Sequence, residues 1–186
     1  MPSLHQTVTR ARVLAPIALF AAVLTLGCNS KTAATPENFT RGLNTYLYVH
    51  PDCLLPDPPK FPFSTTDSTR TRQMDALVAA QLLTRGTEPA IHVSRYTLTD
   101  AGRRYAPRFC YGHRQVSGIV RSTPPAKANG FVESEVTYTY TLTDVPVWAR
   151  GAAMQAAFPA MAEAVTKGGT ASRVLAQTMA GWQVPE

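Results

Sequence analysis

The 186-residue chain contains none of the short patterns that commit a protein to a known reaction. It has no Gly-rich phosphate loop ending in Lys-Ser or Lys-Thr, no G-x-G-x-x-G, no G-x-S-x-G elbow and no H-E-x-x-H. Nothing in the sequence therefore supports P-loop, dinucleotide-binding, elbow-type hydrolase or zinc-protease chemistry. Asp, His and Ser occur without triad spacing, so a catalytic site would have to converge in three dimensions. Internal repeats and runs of one charge sign are also missing, which removes solenoids and polyelectrolyte tails. Charged residues make up 16% of the chain and apolar ones 45%, a globular composition. The cations are scattered; Arg103, Arg104 and Arg108 are the densest group and read as a solvated face. The main uncharged apolar run, residues 13–26, has 14 residues and contains Pro16. A membrane-spanning helix needs about 20 apolar residues, so the run is too short to cross.

What is there begins with that run. Arg10 and Arg12 precede it, no acidic residue lies before it, and Gly27-Cys28 closes it ahead of the polar Asn29, Ser30 and Lys31. A basic start, an apolar middle and a small residue before a cut describe a secretory signal over residues 1–27. The segment Leu24-Thr25-Leu26-Gly27-Cys28 resembles the lipobox of bacterial lipoproteins, although Thr25 and Leu26 depart from that family's order of a leucine and then a small residue. The resemblance implies cleavage before Cys28, lipidation of that cysteine and anchoring to a membrane by several acyl chains, palmitate among them. In that family an Asp after the cysteine retains the protein at the inner membrane. Asn29 stands here, so the resemblance implies the periplasmic face of the outer membrane. Residues 28–37 then read as the lipidated cysteine and a tether, and residues 38–186 as one globular domain with lobes at about 38–106 and 107–186. Removal of residues 1–27 leaves 16 cationic side chains against 12 anionic ones.

With Cys28 lipidated, Cys53 and Cys110 remain. An even pair in an exported protein reads first as a disulfide. A second reading stays open. His50-x-x-Cys53 and Cys110-x-x-His113 together offer two Cys and two His, the ligand set of a tetrahedral zinc site.

Along the chain, Phe39, Leu43, Tyr46 and Leu47 recur at helical spacing, with Asn38 or Thr40 as the cap. A Pro-rich extended stretch, residues 51–62, follows. Met74, Leu77, Val78, Leu82 and Leu83 predict a second helix ending at Gly86. Ile91, Val93, Tyr96 and Leu98 predict a strand, and Thr99 or Asp100 caps a short helix after it. Helix, ribbon and Tyr96-x-Leu98-Thr99-x-x-Gly102 together resemble the wing of winged-helix domains over residues 69–106. That fold commonly contacts DNA; export puts nucleic acid out of reach, so the resemblance implies a packing or protein-contact module. Residues 109–121 read as a strand. From Val132 to Leu142 apolar and polar residues alternate strictly, which predicts a strand with one covered and one wet face. Residues 147–166 are helical in pattern with a kink or restart at Pro159, and residues 172–184 return as a last strand.

The fold class these readings predict is α+β: a mostly helical N-terminal lobe with a small winged-helix-like ribbon, joined to an antiparallel sheet of about three strands covered by helices. Tyr138, Tyr140 and Trp182 form a candidate binding face, against the plainer reading that they are core or interface. Glu133 and Glu135 share a strand face with Thr137, Thr139 and Thr141 and read as solvated rather than as an acid–base pair. No cofactor is implied. The first functional reading is a non-enzymatic envelope lipoprotein that binds a protein or envelope component. A periplasmic ligand- or metal-binding protein is the second reading, and an envelope hydrolase with a convergent site the third.

Overall fold

The computed structural model describes residues 30–88 and 93–185. The signal-like segment, Cys28 and Ile91 lie outside the described residues.

Helix α1 spans Pro36–Val49. Thr35, not Asn38 or Thr40, caps it, accepting from the Asn38 N–H at 3.4 Å, and Pro36 pre-sets the first turn. Asn38 is buried; its amide donates to Ser30 O and Ala33 O, each at 2.9 Å. After α1 come β1 (Asp52–Cys53), β2 (Phe63–Thr65) and α2 (Ser68–Ala79), which Asp67 caps. Strands β3 (Leu83–Glu88) and β4 (Val93–Leu98) lead to the one-turn helix α3 (Asp100–Arg103). The second half holds β5 (Cys110–Ser122), β6 (Ala126–Ala128) and β7 (Phe131–Thr143). A 3-10 turn at Val147–Arg150, α4 (Ala152–Ala157) and α5 (Pro159–Lys167) follow, and β8 (Gly169–Thr178) and β9 (Gly181–Gln183) close the chain.

Two antiparallel sheets result. The larger has six strands in the order β1-β5-β7-β8-β9, with β6 also on β7; the smaller runs β2-β4-β3. The expected mostly helical N-terminal lobe and three-stranded sheet are therefore wrong. Strands outweigh helices in placing the core, the first lobe carries a sheet of its own, and α1 does not pack into that lobe. Its buried Phe39, Leu43 and Leu47 join Val116, Val136, Tyr138, Tyr140, Leu175 and Trp182 in one core beneath the large sheet. A second core gathers Leu55, Met74, Leu77, Leu83, Tyr96, Phe109, Met154 and Met161 around α2, the small sheet, α4 and α5. Among the described residues no helix is long and apolar enough to cross a membrane.

Helix α2 ends at Ala79, well before Gly86. Gln81 takes the left-handed conformation (φ 61°), its N–H reaches Val78 O at 2.8 Å, and Leu82 N–H reaches Leu77 O at 2.9 Å. These paired bonds close the last turn, and Leu82 and Leu83 turn into the core while Gly86 lies inside β3. The Leu98-Thr99-x-x-Gly102 segment has a local explanation. Thr99 Oγ1 accepts from Gly102 N–H at 2.9 Å and donates to Gln81 O at 2.8 Å. Gly102 itself lies so close to Leu82 that an added Cβ would meet the Leu82 carbonyl. Pro159 restarts the helix as α5, and the final strand region is two strands turned at Met179–Ala180.

Candidate functional site

The cysteines stand opposite each other in register between β1 and β5 and form a Cys53–Cys110 disulfide. Both sulfurs are thereby spent, and the alternative four-ligand set is not assembled. His50, at the end of α1, stacks on Tyr46 at 3.9 Å and its Nδ1 lies 2.8 Å from Tyr46 O. His113, on β5, stacks on Tyr48 at 5.5 Å. Among the described residues no three metal-ligating side chains gather.

Next to the disulfide, Arg114 forks onto Asp52 through Nε and Nη2 at 2.7 and 2.8 Å, and its guanidinium sits 4.4 Å over the Tyr140 ring. Burial opposes the Arg114 charge, but the hydrogen bonds and attraction of Asp52 outweigh it, so the net shift is upward. Burial, and then repulsion from Asp52, pushes the Tyr111 phenol up to about 12. This group clamps β1 to β5. The two charges answer each other within the protein.

The proposed aromatic face is interior. Tyr138 is fully buried and Tyr140 nearly so, because the inward face of β7 lies under α1. Trp182 is 3% exposed, crosses Phe39 edge-to-face at 5.0 Å, and donates Nε1 to Thr32 O and Ala33 O at 3.0 and 3.1 Å. Glu135 is exposed and Glu133 half-buried, on the Thr-rich side of β7. Thr137 and Ser172 hydrogen-bond across that side at 2.8 Å.

What Trp182 does border is a groove of about 470 Å³ beside α1, walled by β9, the β8–β9 turn and the start of β7. That size falls within the range of small-molecule sites, about 300–1,000 Å³. The α1 and β9 backbones meet beside it: a Cβ on Gly42 would collide with the Trp182 carbonyl. Arg41, Thr45, Tyr46, Val49 and His50 line it from the helix, and Phe131, Ala176, Ala180 and Val184 from the strands and their turn. Lys31 stands at the rim. The stretch leading to it is bound to the body, since Gln177 Nε2 donates to Thr32 O at 2.7 Å and the Asn38 amide holds Ser30 and Ala33. The described part of the expected tether is thus docked on the domain. Of the residues singled out from the sequence, only Trp182 and His50 line this groove. Lys31, Arg41, Val49 and Phe131 were missed. The one available signal was the polar cap of α1 beside an apolar stripe, and it does not indicate which strand packs there.

No family model, curated protein or solved structure matches this chain. The functional reading rests on the groove and the sequence around it.

Proposed function

We propose that the chain is a lipid-anchored envelope protein, cleaved before Cys28 and held by acyl chains on that cysteine at the periplasmic face of the outer membrane. Its folded part is a non-enzymatic binding module for a protein or envelope component, with the groove beside α1 as its site. Nucleic acid plays no part in this reading. The observation that carries it is the docking of Ser30 to Ala33, just after Cys28 in the sequence, against the body beside the groove. Cys28 precedes Lys31 by three residues, a reach of at most about 11 Å. From Ser30 onward the backbone is hydrogen-bonded to Asn38, Gln177 and Trp182, so there is little slack between lipid and site. Anchoring at Cys28 would hold the groove close against the membrane surface. The Cys53–Cys110 bond supports an oxidising compartment, since such bonds persist outside the cytosol.

Metabolic palmitate labelling with membrane fractionation tests the reading. The wild-type chain is expected to carry label in the outer-membrane fraction, and Cys28→Ser to lose it. An unlabelled wild-type chain that still begins at Met1 would overturn the anchor and with it the compartment.

A further inference from the structure

Deepening the reading of this groove as the binding site, we propose that it takes an anionic single-chain amphiphile. The acyl chain lies along α1, and the carboxylate or phosphate head sits at Lys31 and Arg41. Lys31 and Arg41, beside the N-terminal half of α1, give the groove a cationic part suited to the head of such a ligand, and among the described residues no carboxylate lines it. Neither cation takes part in an ion pair among the described residues. Among the described residues the Arg41 guanidinium reaches Asn38 Oδ1, at 3.3 Å. An unanswered pair of cations in a walled groove favours an anion.

The rest of the lining mixes Val49, Phe131, Ala176, Ala180 and Val184 with Thr45, His50, Thr178 and Gln183. Val49 is 64% exposed and Phe131 53% exposed, large surfaces left to water beside Tyr46 and Val184. From Asn38 to Val49 the helix offers a wall about 17 Å long, a length suited to an alkyl chain. The membrane surface next to an anchored Cys28 supplies molecules of this class, either as free fatty acids or as lysophospholipids.

The test uses the full chain carrying Trp148→Phe, reconstituted with zwitterionic vesicles, so that Trp182 is the sole tryptophan. Two anionic probes are added, a mid-chain brominated fatty acid and a brominated lysophosphatidylglycerol. A brominated alkyltrimethylammonium of equal chain length is the control. Saturable quenching of Trp182 is expected, with half-saturation at least tenfold lower for an anionic probe than for the cationic one. The stronger anionic probe identifies the head group. Lys31→Glu with Arg41→Glu, both at exposed positions, is expected to abolish that preference. The absence of saturable quenching, equal quenching by both charge types, or a preference that survives the double substitution would each overturn the proposal. Vesicle flotation of the same sample reports the anchor separately. A chain that fails to float refutes anchoring, while its quenching in solution still tests the groove.

Discussion

Asp52 is a short acidic side chain beside a cysteine in a two-residue strand, and its work depends on Arg114, which lies 62 positions away. The pair is largely withdrawn from water, with side-chain exposures of 17% and 27%. Asp52→Asn would leave the guanidinium half-buried over Tyr140 without its counter-charge. A loss of about 1–3 kcal/mol is expected in urea unfolding, below the cost at a fully buried pair because solvent still reaches the site. Tyr111 makes the same neighbourhood sensitive to alkali. Its folded-state value lies near 12 and the unfolded one near 10, so between them the folded chain holds the proton that the unfolded chain loses. This contribution is complete below about pH 10 and drains away as the pH rises toward about 12. Tyr96 and Tyr138, also shifted upward by burial, act in the same direction. Tyr111→Phe should therefore keep its unfolding midpoint to higher pH than the wild type, as followed by circular dichroism across the alkaline range.

Among the elements, α1 and β9 come together at their main chains. Their backbones touch where Gly42 faces the Trp182 carbonyl, and any side chain there collides with main chain that cannot swing aside. Gly42→Ala is expected to cost at least about 2–3 kcal/mol in denaturant unfolding. It should also loosen the groove, with Trp182 fluorescence shifting toward that of an exposed indole. Nothing in the local sequence marks Gly42, which sits mid-helix and reads as a weak point. Features that depend only on neighbours were easier to read. The alternation from Val132 to Leu142 places Ser134, Val136, Tyr138 and Tyr140 inward as expected. Thr99 caps α3, and Pro159 begins α5. Helix α2 was misread because Leu82 and Leu83 continue its apolar spacing. The turn at Gln81 sends them into the core as the start of a strand, and Gln81 carries no glycine-like signal for a left-handed residue.

At the scale of the whole molecule, the disulfide ties β1, which follows α1, to the first residues of β5, at a sequence separation of 57. In the chain-entropy account a loop of that size contributes about 4 kcal/mol. Reduction, or the paired change Cys53→Ser and Cys110→Ser, is expected to lower the urea midpoint accordingly. A midpoint insensitive to reductant would mean that the Asp52–Arg114 clamp and the two cores already hold the strands together. The sequence by itself determined the parts whose free energy is local: the alternating strand, the Thr99 cap and the helix restart. Only the tertiary structure decided that α1 covers the large sheet rather than the lobe it begins. It also decided that the tyrosine stripe is core, and that Lys31, Arg41, Phe131 and Val184 share one groove. Those outcomes depend on the approach of backbones distant in the chain, at Gly42 and Trp182 above all, and residue spacing along a single element carries no record of such an approach.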